Sequence, residues 1–321
     1  MFIPQQGAAA RLDQSMRDDL AASLERIGAM AAAVLPGRES LPAALEHIRA
    51  HPVEPGVFAL YYDLVFALQK RDLASAPRLW EQALARAATQ PPARLMRYRA
   101  EDLGEDGERI QRLTAIGAPA PVIFGDPDDT EWSRFRDNAP AALSLLRRAN
   151  AVWAEQVSEL GACTIATVPA ADSVGFSGGS SMMVWGAILV NVRDWTDRVG
   201  VLGVMAHEAT HLLLFGASRS EPLVTNPVGE RFQTEARPTP RPMNALYHST
   251  YVSGRMARMS QEILDRCAGE LSDAEHRTLD QTITVQRERF AQGEGVIRRH
   301  AQLTPLGRRL IEEAADELAA V

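Results

Sequence analysis

From Val199 to Phe215 the chain reads VGVLGVMAHEATHLLLF, apolar on nearly every side of a helix. Such a segment is stable only when other parts of the protein cover it all round. Yet it carries His207, Glu208 and His211 at its centre. Burying two imidazoles and a carboxylate without partners costs several kcal/mol, so the fold must give them something to bind. At 3.6 residues per turn the two histidines lie roughly 40° apart around the axis and about 6 Å along it. Both rings can then converge on one ion, which is the logic of an HExxH helix. Glu208 projects from a neighbouring face, toward a water or substrate held beside the metal.

The motif leaves the third ligand open among Glu221, Glu230 and His248. Glu230 has the spacing of a second-helix glutamate in gluzincin peptidases, but it stands in TNPVGE and is followed by RPTPRP, which argue against a helix there. His248 stands just inside the helical pattern that follows those prolines. A helix supports a ligand more rigidly than a proline-rich loop, and this favours His248.

Around this centre the pattern is mostly helical. Leu20, Leu24, Ile27, Met30 and Ala31 recur at helical spacing. Further helices are expected from Leu41 to Ala50, from Val57 to Leu68, and through Leu79, Ala83 and Leu84 to a stop at Pro91-Pro92. Past residue 116 the texture changes. A short strand is expected at Pro121–Phe124, a helix over 139–160 and a strand over Cys163–Val168. A flexible glycine-serine rim is expected over 176–181, and a core strand over 183–192. That second strand also offers a candidate edge for an extended peptide. Residues 216–242 read as irregular, and helices resume at Met243 with a break near Gly293-Glu294-Gly295. The expected fold is α+β, mostly helical: a helical N-terminal region, 1–115, and an HExxH metal-binding catalytic domain, 116–321, whose small sheet and helix adopt a zincin-like arrangement.

Composition narrows the function classes. In 321 residues, 34 basic side chains face 41 acidic ones, a net charge of −7, so no basic field exists to recruit nucleic acid or anionic lipid. The first residues lack the basic-then-apolar pattern of a secretory signal. No apolar stretch is free of polar residues over the ~18 positions of a membrane span. Two cysteines, Cys163 and Cys267, cannot frame a disulfide scaffold. A cytoplasmic protein without nucleic-acid or membrane partners is expected, and a homo-oligomer is compatible with the sequence. His47 and His51 read as helix-terminal surface residues, and Trp185 and Trp195 as packing.

The strand Gly186–Asn191, the helix with His207-Glu208-Ala209-Thr210-His211, the proline-arginine segment and Leu246-Tyr247-His248-Ser249-Thr250-Tyr251 together resemble the HExxH-type peptide-modification proteins. The resemblance covers roughly residues 160–265. It implies an α-ketoglutarate-dependent peptide β-hydroxylase acting on a peptide or amino acid, such as a ribosomal precursor peptide in natural-product biosynthesis. Iron, as Fe(II), would be held by His207, His211 and His248, leaving positions for α-ketoglutarate and O2. Oxidative decarboxylation of α-ketoglutarate to succinate would drive hydroxylation of a substrate β-carbon. Glu208 then orients a water or a neighbouring group rather than serving as a hydrolytic base. Arg241, Arg237 and Arg255 become candidates to clamp the distal carboxylate of the co-substrate, Arg241 first because it precedes the ligand helix.

The alternative is a Zn(II)-dependent metallopeptidase with Glu208 as general base and Tyr247 or Tyr251 polarising the scissile carbonyl. Tyr247 and Tyr251 are equally the candidates to bind substrate in the oxygenase. A third possibility is a binding module around a structural metal, with Cys163 as a possible further ligand.

Overall fold

The computed structural model describes residues 1–88, 94–116 and 122–320. It is mostly helical, 65%, with a small mixed sheet, in line with the expected α+β class. Contacts group the chain into two compact units, and neither is one continuous segment. Ala9–Arg136 joins Glu159–Asp194, while Met1–Ala8 joins Asp137–Ser158 and Trp195–Val321.

The first of these units takes in most of α1 (Ala8–Met30), then α2 (Leu41–Ala50), α3 (Pro55–Gln69), α4 (Ala76–Ala87), β1 (Leu95–Arg97), α5 (Ala100–Leu103), α6 (Glu105–Thr114) and β2 (Phe124–Gly125). The stop expected at Pro91-Pro92 lies outside the described residues, as does Pro121. The chain continues through α7 (Asp129–Ala149) and α8 (Ala151–Leu160) into β3 (Cys163–Pro169), β4 (Gly178–Ser180) and β5 (Ala187–Asn191). The single helix expected over 139–160 is therefore two. Asn150 separates them, its Oδ1 accepting hydrogen bonds from the backbone N–H of Val152 and Trp153 and so capping α8.

The sheet order is β1-β3-β5-β4, with β2 paired to one end of β3. Strand β3 runs parallel to β1 and β5, and β4 antiparallel to β5. A strand at Leu95–Arg97 was not expected, because three residues are too few to show a period of two. The glycine-serine segment expected as a flexible rim supplies β4 instead, pinned where the Asn191 side chain donates to the Phe176 carbonyl. The strand expected over 183–192 is shorter. Met182–Val184 forms a 3-10 turn, and Gly186, at φ +88°, turns the chain into β5 in a conformation other residues rarely adopt. Every residue of β5 is buried, and both its edges are taken, by β3 and β4. It is a core strand and offers no edge to a peptide.

The other unit contains the end of α7, most of α8, α9 (Arg198–Ala217), the hairpin β6 (Phe232–Thr234) and β7 (Arg237–Arg241), α10 (Met243–Cys267), α11 (Asp273–His300) and α12 (Pro305–Ala319). The hairpin forms inside the stretch expected to be irregular. Pro238 and Pro240 alternate along β7, a placement that a two-stranded ribbon tolerates on its unpaired side. Helix α11 runs unbroken past Gly293 and Gly295. The absent Cβ of Gly293 lets α11 close onto Thr250 of α10, where a methyl group would collide. Phe2, Leu214, Tyr247, Tyr251, Ile297 and Leu310 fill the core between the helices.

Helix α9 passes the length and hydropathy criteria for a membrane span, with an 18-residue window at mean hydropathy 1.4. However, 78% of that window is buried inside the protein, which marks it as the core helix its all-round apolarity predicts.

Candidate metal centre

Helix α9 is fixed at its start by two devices. Asp197 caps it, Oδ1 accepting from the backbone N–H of Val199 at 2.9 Å and of Gly200 at 2.8 Å. The Arg198 guanidinium donates to Glu275 at 2.6 Å, tying α9 to the first turn of α11. That hydrogen bond is the largest influence holding the Glu275 carboxyl down at about 2. Glu275 also closes a capping box with Ser272, so one carboxylate orders the start of α11 and the entry to α9.

Helix α10 begins directly after Pro242 and lies against α9. Three imidazoles lie in this region, His211 neighbouring both of the others. The His207 and His211 ring centroids are 5.0 Å apart, and those of His211 and His248 are 5.8 Å apart with planes 12° from parallel. Phe215, one turn beyond His211, packs on both His211 (6.2 Å) and His248 (5.1 Å). His207 and His211 are half-buried, while His248 and Glu208 are each only 6% exposed. Desolvation alone pushes the His248 imidazole down to about 4, so it is neutral at pH 7, the form that binds a metal. Gly203 lies one turn before His207 on the same face, and a side chain there would meet nothing within 4 Å. That face of α9 thus borders open space.

The donor set suits a transition metal: three imidazoles on two rigid helices, one of them, His248, held neutral by burial. Two imidazoles that share an ion bring their centroids to roughly 5 Å, since each metal–nitrogen bond is about 2.1 Å. In the rotamers of this structure, however, no three His, Cys, Asp or Glu side chains among the described residues form a group of metal-binding spacing.

The two glutamates considered as third ligand are engaged elsewhere. Glu221 accepts the backbone N–H of Leu306 at the start of α12, and Glu230 is exposed and bonded to Asn226. The Cys163 thiol lies in the core of its own unit, 3.3 Å from the Met96 sulfur, and burial pushes it up to about 12.

The remaining expected residues have other surroundings. Arg255 is 1% exposed and donates to the carbonyls of Met1 and Phe2 and to Gln156 Oε1, with its guanidinium 4.2 Å from the Trp153 ring. Tyr247 is fully buried and donates to the Gly307 carbonyl at 2.6 Å. Tyr251 is fully buried edge-on to Phe2. All three are buried in the helical core, out of reach of a substrate approaching from solvent. Arg241 lines a cleft on another face of α10. Arg237 belongs to β7, but its side chain lies outside the described residues.

Phe215 and Gly203 were not anticipated as parts of the centre. Their spacing, four residues on either side of the histidine pair, was the available signal. Comparison with protein-family models and with curated proteins found no match to the chain.

Proposed function

We propose that this chain is a non-haem iron oxygenase that uses α-ketoglutarate to hydroxylate a β-carbon of a peptide or amino acid. The observation that carries the reading is the neighbourhood of three imidazoles from two helices, His211 pairing with both His207 and His248, the last held neutral by burial. These three would hold ferrous iron, which with α-ketoglutarate and O2 supplies the oxidising power for attack on an unactivated C–H bond. Phe215 fixes the attitude of two of the rings and keeps water from their flank. The open face at Gly203 gives substrate an approach along α9. Glu208 is buried beside the histidines and acts as a positioning residue. The engagement of Glu221 and Glu230 with Leu306 and Asn226 supports this reading over a two-histidine, one-glutamate zinc peptidase.

The test is anaerobic addition of Fe(II) and α-ketoglutarate to the full chain, followed by air. A weak visible charge-transfer band and then succinate release are expected. His248→Ala should abolish both, and Glu230→Ala neither. Glu208→Gln should retain succinate release. If no band forms, and tightly bound Zn(II) instead supports peptide cleavage that Glu208→Gln abolishes, the chain is a peptidase.

A further inference from the structure

Between Val201 and Gly216, helix α9 has four residues that are not buried: Gly203, His207, His211 and Phe215. They recur at every fourth position, so they form one line that follows the helix and drifts by about 40° per step. Every other residue of that stretch is buried, so packed elements rise on both sides and the line is the floor of a furrow. Helix α10 makes one flank, where His248 stands beside His211. A Cβ at Gly203 would meet nothing within 4 Å, which leaves the furrow open just before the imidazoles. Nearer the start of the helix, Gly200 lies within roughly 20° of His207 around the axis. A Cβ on Gly200 would be 3.0 Å from Cε3 of Trp195, so that half-buried indole covers the first turn of the same line.

The spacing of the floor suits one kind of occupant. Four residues along a helix advance about 6 Å, and same-face side chains of an extended chain repeat at about 6.6 Å. From Gly200 to Phe215 the line runs about 22 Å, the length of about seven extended residues. The floor holds no carboxylate, ammonium or guanidinium, and an aromatic ring stands at each end. A ligand lying on it therefore needs no counter-charge. A free amino acid carries two charges and spans a single step, and an acyl chain has no repeat to match.

We infer that the furrow takes its substrate as an extended, uncharged peptide segment laid along α9. Apolar side chains of that segment pack on Trp195 and Phe215, its backbone crosses Gly203, and the reacting residue lies beside the imidazoles. The inference deepens the function proposed above and rests on the three histidines being the reacting centre.

Calorimetry of the full chain without added metal tests it. The probes are capped alanine heptapeptides with a central leucine or phenylalanine, the N-acetyl amides of the single residues leucine and phenylalanine, and decanoate. The heptapeptides are expected to bind at least about tenfold more tightly than either of the others. Gly203→Leu fills the open floor and should weaken heptapeptide binding by about tenfold or more. Its urea midpoint should be unchanged or raised, because glycine is a poor helix former. Trp195→Ala should weaken binding too, and Trp195→Phe should restore part of the loss. Titration with Co(II), followed by visible absorption, should be the same in Gly203→Leu as in the parent, which separates a blocked furrow from a damaged metal centre. Heptapeptide binding with no Fe(II)–α-ketoglutarate band would remove the iron and keep the furrow. No heptapeptide binding, equal binding of the single-residue amides, tighter binding of decanoate, or full binding in folded Gly203→Leu overturns the inference, whatever the band shows.

Discussion

At the scale of single residues, Arg255 is the most instructive. A guanidinium buried this deeply is tolerated because two backbone carbonyls, an amide oxygen and an indole face surround it. Replacement by Met removes the donors and leaves the Met1 and Phe2 carbonyls buried without partners. The expected loss is about 3 kcal/mol or more, read as a shift in urea midpoint at unchanged slope. Arg255→Lys should not restore it, because one ammonium cannot supply both the planar fork and the stacking. His207, Glu208 and His211 were legible because four-residue spacing on one helix is a local fact. Arg255 and Tyr247 were not. Their partners are Met1, Phe2 and Gly307, far away in sequence, so a polar residue on the helix that carries His248 looked like part of the candidate centre.

Among elements, α9 and β3 could be read directly, one from unbroken apolarity and the other from β-branched alternation. The shorter pieces could not. Strand β1 and the β6–β7 hairpin depend on pairing with residues elsewhere, and no window three to five residues long records that. Glycine misled in a specific way: in α11 it marks close approach of two helices and not a break. Gly293→Ala is accordingly expected to cost about 1–3 kcal/mol by overpacking against Thr250. In Thr250→Ala the same change should cost less, since the hydroxyl is gone while the Cβ at 3.0 Å remains, a coupling that a double-mutant cycle of thermal or urea unfolding measures directly.

For the molecule as a whole, the sequence texture changes near residue 116, but the packing does not divide there. Strand β3 pairs with β1, and the core that holds Ile165 and Leu189 includes Ala59, Tyr98, Ile110 and Leu113. A fragment consisting of residues 116–321 would carry β3 and β5 without those partners. It is expected to lose near-ultraviolet circular dichroism and sharp unfolding while keeping much of its helix, as a loosely packed state does. A fragment with native cooperativity would show that the early helices are dispensable to the sheet.

The placement of Phe2 has a consequence for biosynthesis. It lies in one core with α10, α11 and α12, and its N–H bonds to Glu313, 311 residues away. Phe2 precedes α10, the first of these helices, by more than 200 residues, so during translation this aromatic ring must wait, exposed, until α10 to α12 have been made. An apolar ring kept in reserve over such a separation is a natural handle for chaperones, and its docking follows the synthesis of all three helices.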